Sequence, residues 1–313
     1  MLFVSLLEAE TNYIDQQHRK LSDIVREWGG AVDDAMRPYL VPKESSSETK
    51  SDKIDSFFQS KKYTDTTKKA YIRLRFTNSI ASKEPQQSNF QIRAQIPLQS
   101  LNEAFKLFIE NTQENYVENL SQNYTQQSAL AVGVNLFVSL EHAIESKYSL
   151  GIRSTELFGR AIYSKDFYSG SWKIEPQQLF EYTSNNIFLE ETNIYCDNKL
   201  GDDELFRVGL RRATQQKRSG MEYSMHLAYY HFLSKETGYS FGEYFRGNTE
   251  YKDGDTRYQG IYEYATVFNW RERIYRKWIV YEIQPILSFH KMYDYKANTI
   301  LKVSLEFYFG GAY

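Results

Sequence analysis

The chain has 313 residues and a formal net charge of −2, so it lacks the basic surplus of a nucleic-acid-binding protein. Aromatic residues make up 16% of it, with 26 tyrosines, which argues against intrinsic disorder, and the single Cys196 excludes a disulfide framework. No run approaches the roughly 18 apolar residues of a transmembrane helix, and the mean hydropathy is −0.60.

The N-terminal part predicts a short leader, a helix and a linker. Residues 1–9 carry a brief apolar stretch, which we interpret either as a truncated signal-peptide remnant or as a frayed terminus. Residues 10–42 form the predicted periplasmic helical segment, in which apolar residues recur at spacings of three and four over 12–37. Residues 43–68 read as a polar linker with a short helix at 54–62. The expected docking stripe of the first helix comprises Leu21, Val25, Trp28 and Val32.

From residue 69 onward the hydropathy alternates with a period of two, which is typical of strands with one apolar and one polar face. The last segment is the clearest, with Leu301, Val303 and Leu305 on one face against Lys302 and Ser304 on the other. The chain contains about 14 such runs, at 69–80, 88–98, 103–111, 129–139, 145–153, 157–166, 171–182, 186–197, 204–214, 219–233, 236–247, 256–268, 273–290 and 298–310.

These runs favour a membrane-spanning barrel over a soluble β-sandwich. Most are longer than the roughly 5–6 residues of soluble strands and match the roughly 9–11 residues of a tilted strand that crosses a bilayer. Their polar faces carry full charges, which a dry sandwich core would not tolerate. We therefore predict an all-β protein: a transmembrane antiparallel up-and-down β-barrel over 69–313, with about 14 strands and 12 as the alternative.

The C-terminal sequence ILKVSLEFYFGGAY places hydrophobic and aromatic residues on alternate positions up to the chain end. In this it resembles Gram-negative outer-membrane β-barrel proteins. That resemblance implies location in the outer membrane, contact with its lipid, and recognition of the last strand by the barrel assembly machinery. The residues implied in this assembly signal are Leu305, Phe307, Phe309 and Tyr313.

Two further segments are similar to an uncharacterised proteobacterial barrel family. The segment 276–310 contains a W-x-x-Y-E-[IV]-x-P strand followed by a closing strand that ends in FG, and 51–76 contains a D-x-F-F…Y…R-L-R entry into the first strand. The resemblance implies architecture and location, and it carries no function. If the N-terminal region is periplasmic, the longest predicted loops, 112–127 and 247–256, fall on the outer side.

Charged residues on the polar faces are the candidate lumen lining. We expect them either to form a basic wall opposite an acidic wall, as in porin constrictions, or to interlock as ion pairs that fill the lumen. The set comprises Arg73, Arg75, Arg93, Arg153, Arg160, Arg207, Arg211, Glu222, His226, Glu263 and Glu282.

Three functions remain open at this point. The first is a passive porin-like channel for small polar solutes. The second is a non-conducting structural or interaction barrel, whose N-terminal helix plugs the lumen or binds a periplasmic or other envelope protein. The third and most remote is a lipid hydrolase using Ser224 and His226, which share one strand face.

We expect no enzymatic activity, because the sequence around Ser224 does not match a known hydrolase motif. We also expect no cofactor and no metal, since the spacings of His226, His231 and His290 match no ligand pattern. Nucleic acid is not an expected partner.

Overall fold

The computed structural model describes residues 14–28, 30–31, 70–98, 104–111, 129–140, 143–216, 218–253 and 256–310. Residues 14–28 and 30–31 are helical and are called α1 here. The strands are β1 Tyr71–Ala81, β2 Gln87–Pro97, β3 Phe105–Glu110, β4 Ala131–Leu140, β5 Ile144–Arg153, β6 Glu156–Ser164, β7 Phe167–Ser169, β8 Trp172–Thr183, β9 Ile187–Lys199, β10 Glu204–Gln215, β11 Glu222–Phe232, β12 Thr237–Asp253, β13 Thr256–Arg273, β14 Ile279–His290 and β15 Ala297–Gly310. The expected leader at 1–9, the linker at 43–68, Val32 and Tyr313 lie outside the described residues.

The strands form one closed antiparallel barrel. Apart from the short β7, each strand pairs with the next one in sequence, and β1 closes on β15 in unbroken register from Tyr71 opposite Gly310 to Ala81 opposite Ile300. The short β7 pairs only with the start of β8, while β6 itself pairs with β8. The wall therefore has 14 strands, which confirms the predicted architecture.

The two faces of the wall differ in chemistry. On β15, Leu301, Val303 and Leu305 are exposed on the outside, whereas Ser304 and Glu306 are buried on the inside. An apolar exterior suits lipid, and a closed barrel leaves no strand edge without backbone hydrogen bonds.

Aromatic side chains form a band on the exterior of the barrel, at the end where β1 begins and β15 ends. Ring centroids of Trp172 and Phe206 lie 6.4 Å apart, those of Tyr229 and Tyr239 6.3 Å apart. The same band continues through Trp270, Tyr281, Phe307 and Phe309. Such girdles mark the boundary between hydrocarbon and headgroups. This end of the barrel is called the terminal end here.

A polar cluster interrupts the apolar exterior on β8–β10. On the outer faces of β9 and β10, a nitrogen of Arg212 lies 2.7 Å from Glu190 Oε1, and Arg212 Nε donates to Thr192 Oγ1 at 3.1 Å. Gln178 on β8 accepts a hydrogen bond from the Thr192 hydroxyl. Because the charges neutralise each other within the cluster, the penalty of facing hydrocarbon is reduced.

The strand boundaries differ most from the prediction in two regions, 247–256 and the connection after β13, a strand that runs to Arg273 rather than to 268. The predicted loop 247–256 is mostly strand, because β12 and β13 continue as a ladder to Asp253 opposite Thr256 and project beyond their neighbours at the end opposite the terminal end. The predicted strand 273–290 instead begins at Ile279, after a turn in which Tyr275 has a φ of 60°. That turn contains none of the Gly, Asn or Pro residues that normally signal one.

No described helix is long and apolar enough to cross a membrane.

A glycine on the inner wall makes room for a histidine ring. Gly209 on β10 pairs with His226 on β11, and a Cβ on Gly209 would lie 1.8 Å from His226 Cε1. The buried His226 ring is held there by stacking on Tyr244, at a centroid distance of 5.7 Å. The ring thus covers bare backbone, a device that stabilises glycine in sheets.

We expect Gly209→Ala to reduce the free energy of unfolding by about 1–3 kcal/mol, because the added methyl group displaces the stacked ring. Gly159→Ala is the matched control, since a Cβ there would meet nothing within 4 Å. Urea titration of the refolded barrel, followed by electrophoretic mobility, measures both. In a His226→Ala background, the loss of unfolding free energy caused by Gly209→Ala should be smaller. Equal stability of the Gly209→Ala and Gly159→Ala variants would refute the role given to the His226 ring.

Candidate functional site

All eleven predicted lumen residues lie on the inward faces of their strands. The inward rows can be followed from strand to strand through the ladder pairings, for example from Arg73 to Arg93 and on to Glu110. The inward positions carry polar residues together with buried apolar ones such as Ile286, Ile300 and Phe158, while the intervening positions carry exposed hydrophobic side chains. The interior of the barrel is therefore the candidate functional site.

The densest cluster lies at the seam where β1 meets β15, and we call it the seam network: Arg75, Arg271, Glu282, Glu306 and Tyr308. Arg75 contacts Glu306 at 2.9 Å and Glu282 at 2.5 Å. Arg271 contacts Glu306 at 2.6 Å and Glu282 at 3.0 Å, and it donates to the Tyr308 hydroxyl at 3.0 Å. The Tyr308 hydroxyl in turn donates to Glu306.

The seam network joins four strands through two cations and two carboxylates. The Arg271 side chain is 2% exposed and that of Glu306 is 0% exposed, so neither charge is solvated by bulk water. Charges buried to this degree are tolerated only when paired and hydrogen-bonded. The network therefore ties β13 and β14 to both strands of the closing seam.

A second cluster lies on the opposite part of the wall. The Glu181 carboxylate on β8 forms ion pairs with Arg160 of β6 at 2.6 Å and with Arg153 of β5 at 2.9 Å. The Arg153 guanidinium also lies over the Phe158 ring, 4.6 Å from its centroid. One carboxylate thus links three consecutive strands of the wall.

Five more of the predicted charges pair with residues of neighbouring strands. The pairs are Arg207 with Asp197 at 2.7 Å, Arg211 with Glu191 at 2.9 Å and Glu222 at 3.5 Å, Arg246 with Glu263 at 3.1 Å, and Arg93 with Glu110 at 3.6 Å.

Of the two arrangements expected for the charged residues, these described pairs follow interlocking ion pairs rather than a basic wall facing an acidic wall. In these pairs arginine meets carboxylate because inward positions of adjacent strands lie close enough for direct contact. Local pairing therefore removes the separation of charge that a transverse field would need.

Several partners escaped the sequence analysis. Glu306, Glu181, Asp197 and Glu191 lie at inward positions that the alternation already marked as polar. Arg271 lies in 269–272, which was predicted to fall between two strands, so its face could not be assigned.

The residues considered for hydrolysis and metal binding are not arranged for either. Ser224 and His226 share the inward face of β11, but the buried Ser224 hydroxyl makes no hydrogen bond within the described part of the chain. His290 accepts a hydrogen bond from the Met292 amide and lies on β14, which is separated from β11 by two strands. The described residues contain no group of three or more His, Cys, Asp or Glu side chains placed to hold a metal ion.

Helix α1 docks beside the last strand rather than in the lumen. His18 Nε2 donates to the Tyr308 carbonyl at 2.7 Å, and the Gly310 amide donates to Ser22 Oγ at 3.2 Å. On the edge of β15 that faces β14, the last backbone hydrogen bond is the one that the Tyr308 amide donates to the Trp278 carbonyl, in the turn before β14. The helix therefore satisfies backbone groups at a strand edge that would otherwise be open.

The docked face differs from the predicted stripe. Val25 is buried as expected, together with His18 and Ser22, but Leu21 is 48% and Trp28 63% exposed. The contact surface is aromatic: His18 stacks on Trp278 at 4.0 Å with an interplanar angle of 8°. Hydrogen bonds to the backbone of β15 and stacking on Trp278 explain why the helix docks through the face of His18 and Ser22 rather than through the more apolar face beside it.

Comparison with known proteins adds only distant neighbours. No family model and no curated protein sequence matches the chain. Among solved structures, OccK11 of Pseudomonas aeruginosa is 8% identical, covering 77% of this chain and 95% of its own, with a TM-score of 0.46. Outer-membrane expressed OmpT of Vibrio cholerae is 9% identical over 77% and 97%, with a TM-score of 0.47. The KdgM porin in complex with disordered oligogalacturonate is 8% identical over 75% and 98%, with a TM-score of 0.36.

The architecture itself gives the location. One chain with an even number of antiparallel strands, a closed wall, an apolar exterior and an aromatic girdle is built like bacterial outer-membrane proteins. The chain is an outer-membrane β-barrel protein.

We expect Glu306→Gln to reduce the free energy of unfolding by about 3–5 kcal/mol, because it leaves the buried Arg271 short of a carboxylate. The matched control is Glu250→Gln, whose partner Arg257 lies 3.3 Å away in a pair that is 60% and 63% exposed; it should cost less than about 1 kcal/mol. Urea unfolding in the same detergent compares them. Similar midpoints for the two variants would contradict the role assigned to the seam network.

Docking of α1 should weaken in acid. The Asp15 carboxylate accepts a hydrogen bond from Arg276 Nε at 2.7 Å, which holds the pKa of Asp15 below its ordinary value. A lowered pKa means that the contribution is complete above the ordinary pKa of about 4 and is lost as the pH falls through the lowered value.

As the pH is lowered below the ordinary pKa of Asp15, the fluorescence anisotropy of a label at Ala31→Cys, in a Cys196→Ser background, should therefore decrease. Asp15→Asn should abolish the pH dependence. Asp23→Asn should preserve it, because Asp23 pairs within the helix with Arg26 at 2.8 Å. Identical profiles for both variants would rule the Asp15 contact out as the cause.

Proposed function

We propose that the protein is a passive channel for small polar solutes across the outer membrane. The observation that carries this proposal is the accessibility of inward side chains along the wall. Gln91, Gln177 and Lys302 point inward and remain half-buried, and Arg75 keeps 22% of its side chain exposed. Inward groups of this kind contact water when the barrel contains solvent.

The direction of the ion pairs supports an open centre. Each pair described above joins strands that are adjacent or separated by one strand, as with Arg75 on β1 and Glu282 on β14. Such pairs follow the curvature of the wall and make no bridge across it. They also keep long side chains flat against the wall.

The position of α1 supports the same function. Residues 14–28 contact the last strand edge and the turn before β14, through His18, Ser22 and Asp15. A helix held at the rim does not obstruct a solute in the lumen.

Weak ion selectivity is expected from the pairing of charges. A cation and an anion within about 3 Å of each other produce a field that decays over a few ångströms, and salt screens the remainder. Small solutes of either sign, and neutral ones, are therefore the proposed substrates.

Planar-bilayer recording of the purified protein tests the proposal. We expect discrete conductance steps that grow in proportion to salt concentration, with a reversal potential close to zero in a potassium chloride gradient. A flat baseline under applied voltage, from protein shown to be folded by its heat-modifiable mobility, would refute the channel. A large reversal potential would refute the weak selectivity alone.

A cysteine pair places the conducting path inside the barrel. In a Cys196→Ser background, a cationic thiol reagent should lower the conductance of Gln91→Cys, which faces inward. Its neighbour Ile92→Cys, which faces outward, is the matched control and should not respond. Equal responses at both positions would contradict conduction through the lumen.

A further inference from the structure

Helix α1 carries three different sectors. The docked sector contains His18, Ser22 and Val25, all buried. An apolar sector lies beside it and stays substantially exposed; its members are Ile14, Leu21, Ile24 and Trp28, with exposures of 42%, 48%, 41% and 63%. The spacing of seven between Ile14, Leu21 and Trp28 keeps three of them in one line, since seven residues are close to two turns.

The third sector is charged and lies on the side away from the apolar one. It contains Arg19, Lys20, Arg26, Asp23 and Glu27, and Asp15 at its border is held by Arg276 of the barrel; together they are three basic and three acidic residues. Charges of both signs in equal number give no electrostatic attraction to an anionic surface. Any binding by this helix must therefore come from burial of its apolar sector.

The docking contacts fix which side of the barrel the helix occupies. Phe309 faces outward on β15, and its ring centroid lies 5.3 Å from that of His18. Trp278, on which His18 stacks, packs against the outward rings of Phe307 and Phe309 at 6.3 and 6.5 Å. The helix thus rests on the lipid-facing aromatic girdle, at the terminal end of the barrel.

We propose that the apolar sector of α1 lies in the bilayer, at the interface of the leaflet that surrounds the terminal end. The sector is continuous with the girdle, which itself marks the boundary of the hydrocarbon. Trp28 takes the interfacial position that tryptophan prefers, and the charged sector faces water. The occupant of this surface is therefore the glycerol and acyl-chain region of phospholipids.

Insertion of this kind gives the helix a defined role. An amphipathic helix in the interface is held by its buried apolar area, and α1 spans about 22 Å at 1.5 Å per residue. Because it also closes the open edge of β15 through His18 and Ser22, lipid binding and edge capping stabilise each other. The helix acts as an interfacial anchor of the closing strand.

The test uses two adjacent positions on opposite sides of the helix. Ile24→Cys reports on the apolar sector and Asp23→Cys on the charged one, each in a Cys196→Ser background and labelled with an environment-sensitive fluorophore. The full chain is refolded into vesicles of zwitterionic phosphatidylcholine, and folding is checked by heat-modifiable mobility.

At position 24 we expect a blue-shifted emission that is strongly quenched by phosphatidylcholine brominated in its acyl chains and little affected by aqueous iodide. At position 23 we expect the reverse. High salt should change neither, since no charge attraction is involved.

Two outcomes would overturn the proposal. Strong iodide quenching at both positions would place the apolar sector in water. Protection of position 24 from both quenchers would place it against protein, as in a contact with a second copy of the chain. Trp28→Ser should also reduce the bromolipid quenching at position 24 severalfold, and no effect of that substitution would exclude Trp28 as the anchor.

Discussion

Closure of β1 on β15 is the constraint on which the rest of this structure depends. In hydrocarbon every backbone amide and carbonyl needs a partner inside the protein, so a single open edge would be prohibitive. The ladder from Tyr71 and Gly310 to Ala81 and Ile300 supplies these partners. Two further features stabilise the same place. One is the seam network on the inner face. The other is α1, whose His18 and Ser22 form hydrogen bonds with backbone groups of β15 that lie beyond the last pairing with the turn before β14. Stabilising side-chain contacts are therefore concentrated at the seam, where an open strand edge would leave backbone groups without partners.

The same closure determines what the charged residues can do. Alternation sends every second side chain inward, and antiparallel neighbours bring those side chains within reach of one another. Arginine and carboxylate then pair along the wall, as Arg160 does with Glu181. Pairing stabilises the wall, and in the proposed channel it removes the separated charges that would select strongly among ions. Stability of the wall and weak selectivity of the proposed channel thus have one physical origin.

The sequence predicts most of this fold because a barrel strand carries its own signature. Alternation located all 14 wall strands, and it marked Glu306 as inward from its position after Lys302 and Ser304. The errors have physical causes. The turn at 274–278 contains no turn-forming residue, so the strand boundary was misplaced and Arg271 could not be assigned to a face. In α1, two adjacent sectors are both suitable for burial, and periodicity does not distinguish the one that binds protein, around His18, from the one that carries Leu21 and Trp28. Ion-pair partners likewise depend on register, which single-strand patterns do not contain.

The register of the closing seam is the most direct test of this account. Leu74 and Phe307 lie opposite each other on the outward faces of β1 and β15, within the range that a disulfide bridges. In a Cys196→Ser background, Leu74→Cys with Phe307→Cys should form an intramolecular disulfide in folded protein in a bilayer. Leu74→Cys with Leu301→Cys, six residues along the same face, should not. Absence of the first bond, or formation of the second, would contradict the closed 14-stranded barrel in this register.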